Sequence, residues 1–168
     1  MAGLLLAVLL ASVFFGGCRR PVVTYEGEGM VPSIPPGSRL QVDFRAYARV
    51  APERFDIVLF ESPASAGLDE GRMLAFRVVG LPGETISIRG PHIHINAQRL
   101  TLPAGVAYTD IPPENLPVPR ATLADDEFFL LGDNAEGAFD SRLYGPVPRE
   151  NIIGKVTGVH PPKDRPSN

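Results

Sequence analysis

Ala75-Phe76-Arg77-Val78-Val79-Gly80-Leu81-Pro82-Gly83-Glu84-Thr85-Ile86-Ser87-Ile88-Arg89 sets two short apolar runs on either side of a turn. Val and Ile favour extended backbone, and Gly80 to Gly83 carries the Gly and Pro that reverse a chain. The stretch reads as strand, turn, strand. The same pattern recurs outward in both directions. Leu40-Gln41-Val42-Asp43-Phe44 alternates apolar and polar, as a half-buried strand does. Asp56 to Phe60 and Phe128 to Leu131 are short apolar runs, read as more buried strands. A second turn at Gly90-Pro91 leads into an alternation of His92 and His94 with Ile93 and Ile95. Ile152 to Val159 reads as a closing strand, and Phe44 to Val50 alone has room for a short helix.

Composition agrees. The chain has 168 residues, one ordinary domain's worth, and 44% are hydrophobic, enough for a core. With 17 Gly and 18 Pro, long helices are disfavoured. The fold class expected is mainly β: a twisted, partly closed antiparallel sheet, with residues 101–127 as an extended Pro-rich excursion. A net charge of -3 argues against a phosphate-neutralising nucleic-acid binder. The single Cys18 excludes a disulfide framework and a multi-Cys metal site. Of 16 basic residues only Lys155 and Lys163 are lysines.

Leu4 to Phe15 is an apolar run shorter than the roughly 20 residues of a membrane span. It has the length of a signal-peptide apolar region, and Gly16-Gly17-Cys18 resembles a lipobox. Two readings stand side by side: a lipoprotein acylated at Cys18, or an uncleaved signal anchor. Both make residues 1–20 an N-terminal membrane tether. Both place a β domain, 21–160, outside the cytoplasm, at the periplasm or cell surface, ahead of a loose tail at 161–168.

Four blocks in order resemble the bacterial signal peptidase I family (S26-type Ser–Lys signal peptidases). They are Gly29-Met30-Val31-Pro32-Ser33-Ile34 with Pro36-Gly37; Arg54-Phe55-Asp56-Ile57-Val58; Arg77 to Glu84; and Gly132-Asp133-Asn134 with Asp140-Ser141-Arg142 and Gly145 to Pro148. Together they span about residues 24–159. The resemblance implies the family's fold and a Ser nucleophile served by a neutral Lys base, with no cofactor. The family's Ser directly precedes the Met of the first block, where this chain has Gly29. Its Lys directly precedes the Arg of the third block, where this chain has Phe76. Its oxyanion-donor hydroxyl stands two positions before the nucleophile, where this chain has Gly27. Arg77 stays protonated and is no substitute base. Glu26 and Glu28, if the segment is extended, face away from residue 29.

The resemblance gives the remaining pattern residues bracing or groove roles: Met30, Pro32, Ser33, Asp56, Arg77, Gly132, Asp133, Asn134, Asp140, Ser141 and Arg142. Asp140 and Arg142 are expected to form an ion-paired brace. Ala135 and Glu136 to Phe139 depart from the family's form. His92 and His94 lack a third metal ligand in the sequence, so no metal site is expected. A Ser141–His160–Asp140 triad is the weaker reading of those residues. The expected function is a tethered pseudoenzyme that binds signal-peptide-like segments or modulates an active signal peptidase. The alternatives are an active serine endopeptidase with an altered site, and a structural envelope lipoprotein.

Overall fold

The computed structural model describes residues 22–63, 72–104, 106 and 120–162. The tether with Cys18, most of the Pro-rich excursion and residues 163–168 of the tail lie outside the described residues.

The described chain is mainly β and antiparallel, as its alternating runs require. Its strands are β1 (Val22–Tyr25), β2 (Ser38–Asp43), β3 (Ile57–Glu61), β4 (Met73–Gly80), β5 (Thr85–Arg89), β6 (His92–Ile95), β7 (Gln98–Arg99), β8 (Arg120–Thr122), β9 (Glu127–Leu131), β10 (Val147–Pro148) and β11 (Ile152–His160). They divide between two sheets. Seven strands run in the order β1-β2-β11-β3-β4-β9-β10, and four in the order β7-β6-β5-β8. Gly80 to Glu84 is the corner where the chain passes from the larger sheet to the smaller. Arg54 pins that corner, with both guanidinium ends on the Glu84 carboxylate and one on the Val79 carbonyl.

Each sheet has its own core. Met30, Leu40, Val42, Val58, Phe60, Phe76 and Phe128 cluster in the larger one. Val79, Ile86, Ile93, Leu123, Phe129 and Leu131 cluster in the other. β9 feeds both, because successive side chains of a strand point to opposite faces: Phe128 and Leu130 go one way, Phe129 and Leu131 the other.

Three local expectations are corrected. Residues 44–50 form turns, not a helix, held by Arg45 N–H on the Asp43 carboxylate and by Tyr47 O–H on Asp56. The only α-helical turn among the described residues is α1 (Ser141–Tyr144). It is started by Asp140, whose carboxylate accepts from the Arg142 N–H as an N-cap. The excursion stops short of residue 120, since Arg120–Thr122 pairs with β5 and Leu123 is buried.

Candidate functional site

Between β1 and β4 runs a groove of about 440 Å³. Its walls include Tyr25, Gly27, Leu74 and Phe139, and Gly29 and Phe76 lie at its floor. Among the described residues β1 is an edge strand, paired only with β2. The first half of β4, Met73 to Phe76, pairs with β3 on one side, while β9 pairs with β4 only from Arg77 onward. The groove is therefore bordered by strand edges with main-chain groups to offer, which is how an extended peptide is held by strand addition. Met73 and Phe139 leave apolar surface at its mouth. Glu26, Glu28 and Arg72 add charge to the lining.

The segment carrying Gly29 is a turn, which corrects the extended reading used for Glu26 and Glu28. Val31 N–H bonds to the Glu28 carbonyl at 3.2 Å and Ile34 N–H to the Met30 carbonyl at 2.8 Å. The turn buries Gly29 and Met30 and leaves Glu26 and Glu28 exposed. The loop after β9 holds it from behind. Asn134 donates its backbone N–H to the Gly29 carbonyl at 3.0 Å and its side-chain amide to the Glu28 carbonyl at 3.2 Å. Gly132 lies so close that a Cβ there would overlap the Gly29 carbonyl oxygen and the Ala138 methyl.

Gly29 and Phe76 come together as the resemblance requires of nucleophile and base, but they meet as ring and glycine. A Cβ on Gly29 would lie 2.9 Å from Phe76 Cε1 and 3.3 Å from Ala138. Real Cβ atoms do not approach that closely, so the ring and the missing side chain are alternatives for one space. Phe76 is 4% exposed and packs on Phe60 with ring centroids 5.8 Å apart. Neither Gly29 nor Phe76 offers a side-chain hydroxyl or amine.

Polar side chains gather behind this floor. Arg77 Nε and Nη2 bond the two Asp133 oxygens at 2.8 and 2.6 Å, and Nη1 reaches the Phe55 carbonyl at 3.1 Å. Ser33 Oγ receives Arg77 Nη2 only at 3.5 Å. Arg142 makes the same fork onto Asp140, at 2.8 and 2.7 Å, within a side-chain pair 5% and 0% exposed. Asp140 Oδ2 also accepts the Gly132 N–H at 2.9 Å. Two bidentate Arg–carboxylate pairs thus fix the backbone on which residues 29 and 76 sit.

The other candidates have structural surroundings. Asp56 is a hub for the Tyr47 hydroxyl, the Glu53 N–H and Lys155 Nζ, the last at 2.6 Å. Ser141 Oγ accepts from Leu130 N–H at 3.0 Å, while His160 pairs with Arg39 at the end of β11. Pro32 is exposed on the turn. Among the described residues no group of three or more His, Cys, Asp or Glu is placed to hold a metal ion. Sequence reading missed the Arg77–Asp133 pair, whose partners are 56 positions apart. It also missed Tyr25, although Tyr25 stands only two residues before Gly27.

Tyr25 closes the other end of the glycine turn. A Cβ on Gly27 would meet the Tyr25 hydroxyl oxygen at 2.8 Å and its Cζ at 2.9 Å. Burial pushes this phenol up to about 12. A hydrogen bond with the Met30 backbone pulls the other way, as a donated N–H does, and the Asp133 charge raises it again.

Known proteins resemble this chain. Residues 1–160 match the family described as signal peptidase, peptidase S26. A signal peptidase I of Leptolyngbya laminosa is 39% identical over 133 residues, covering 77% of this chain and 63% of that one. Signal peptidase I V of Bacillus subtilis is 31% identical, covering 79% and 80% respectively. A crystal structure of a signal peptidase I from Enterococcus faecalis is 31% identical, with a TM-score of 0.49, and covers 63% of this chain and 97% of that one. With the family match running over residues 1–160 and signal peptidase I relatives at 31 to 39% identity, the chain belongs to the S26 signal peptidase family.

Proposed function

We propose that this chain is a membrane-tethered, extracytoplasmic member of its family that binds extended signal-peptide-like segments without cutting them. The observation that carries the reading is the Phe76 ring lying where a side chain on Gly29 would begin.

The chemistry follows from what is present. Acyl transfer needs a nucleophile and a base within hydrogen-bond reach. At the two positions that the resemblance assigns to them stand a glycine and a benzyl group. A bound peptide is then held by the edges of β1 and β4, and its small side chains rest on an apolar floor that has no hydroxyl at residue 29. Held without turnover, it leaves as it came. Such a protein acts by occupancy: it retains export substrates near the membrane or competes with an active relative for them.

The test is fluorescence polarisation of a labelled signal-peptide segment with the full chain in detergent micelles, with the peptide recovered for mass spectrometry. Saturable binding with the peptide recovered intact is expected. Recovery of a cleaved product would establish an altered active site. Absence of binding by a folded chain would leave a purely structural envelope role.

A further inference from the structure

We propose that the Tyr25 hydroxyl is the groove's hydrogen-bond donor to a main-chain carbonyl of the bound peptide. It takes the place that a side chain on residue 27 would otherwise fill. This rests on the peptide-binding reading above and assigns the residue that orients the ligand.

Three observations converge. Tyr25 closes β1, the edge strand that borders the groove, and lies partly buried in its wall. Its hydroxyl oxygen lies 2.8 Å from the Cβ position of Gly27, so hydroxyl and side chain compete for one volume. Gly27 itself is exposed, so that volume opens toward the groove and not into the core. Glycine at 27 is then a requirement of the tyrosine. The hydroxyl lies near the Met30 backbone, which pulls its pKa down against the rise from burial. A neutral phenol has one proton to give. Held well above its ordinary range, the phenol remains a donor at any physiological pH. A carbonyl of a peptide laid along β1 is the acceptor it faces, since an extended ligand presents carbonyls along its whole length.

This donor differs from one mounted on residue 27. It arrives on a ring anchored in the strand before the turn, so it is fixed by packing and not by the turn's own conformation. It also narrows that end of the groove, which favours small ligand side chains beside it.

The experiment uses the full chain in micelles and a fluorescein-labelled nine-residue apolar peptide with Ala at two alternate positions. Tyr25→Phe keeps the ring and removes the donor. Its affinity is expected to fall roughly fivefold, the worth of one neutral hydrogen bond. A set of peptides, each with one carbonyl replaced by methylene, locates the acceptor. One of them is expected to lose affinity for the wild-type chain and lose none for Tyr25→Phe, a coupling that a merely structural role would not produce. A second variant, Tyr25→Val with Gly27→Ser, moves the hydroxyl to residue 27 and is expected to recover part of the loss. Binding by the wild-type chain with unchanged affinity in Tyr25→Phe overturns this assignment alone. Absence of binding by the wild-type chain overturns it together with the reading on which it rests.

Discussion

The two sides of the groove floor are built on opposite principles. Behind it, Arg142–Asp140 is buried and Arg77–Asp133 partly so; both are bidentate and tied to backbone N–H and carbonyl groups. In front, Gly27 and Gly29 carry no side chain, and aromatic rings take the vacated space. The back is a framework of charge; the front is apolar packing. Removing one partner of a buried ion pair leaves an uncompensated charge, which the fold tolerates poorly. A ring packed against a glycine leaves nothing unpaired. The contrast teaches that the charged brace needs no side chain at residue 29: it is complete behind a floor of glycine and ring.

Breaking the back gives the largest expected effect. Arg142→Met strands the fully buried Asp140 carboxylate and is expected to cost about 3–5 kcal/mol, read as a shifted denaturant midpoint of the full chain in micelles. Arg77→Met is expected to cost less, because Arg77 is 11% exposed against 5% for Arg142. An equal or reversed order would show that the two pairs are not ranked by burial.

The front is tested next, by coupling. Gly29→Ala alone drives a methyl into the Phe76 ring, and overpacking of this kind costs about 1–3 kcal/mol. In a Phe76→Leu background the same change is expected to be nearly neutral. The resulting interaction energy, about 1–2 kcal/mol in a double-mutant cycle, measures how strictly ring and side chain exclude each other. Additivity would mean that the two do not share the space.

The smallest effect is electrostatic. Tyr25 is pushed up to about 12, and Tyr47 and Tyr144 are also raised, in each case chiefly by burial. A tyrosine whose folded value exceeds its unfolded value near 10 binds its proton more tightly when folded. Stability is therefore held below pH 10 and lost as pH rises through about 12. Denaturation series from pH 9 to 12 should show this decline. A modest flattening is expected in Tyr25→Phe, because the other two tyrosines remain.

Much of the larger sheet was legible because its strands alternate or run apolar. Leu40 to Asp43, Ile57 to Phe60 and Phe128 to Leu131 carry their burial in their own residues. β7, β8 and β10 are only two or three residues long, too short for a period to show. α1 is a single turn whose one clear signal was Asp140 as its cap. Residues 29 and 76 were legible as a candidate site only through the family blocks, since nothing about a glycine or a phenylalanine marks a site. How the two pack together was not legible. The Phe76–Gly29 and Tyr25–Gly27 contacts depend on a turn that the sequence presented as extended chain, and Arg77 finds Asp133 only after β4 and β9 pair.

The central proposal is that the scaffold is intact and the chemistry is gone. It is tested most directly by intact-protein mass spectrometry after exposure to a serine-directed acylating inhibitor of signal peptidases. The wild-type chain and Gly29→Ser/Phe76→Lys are treated side by side, since removing the ring makes room for the serine. The expected result is no adduct on the wild-type chain and one adduct on residue 29 of the double variant. An adduct on the wild-type chain would contradict the loss of chemistry, and an unlabelled but folded double variant would contradict the retained scaffold.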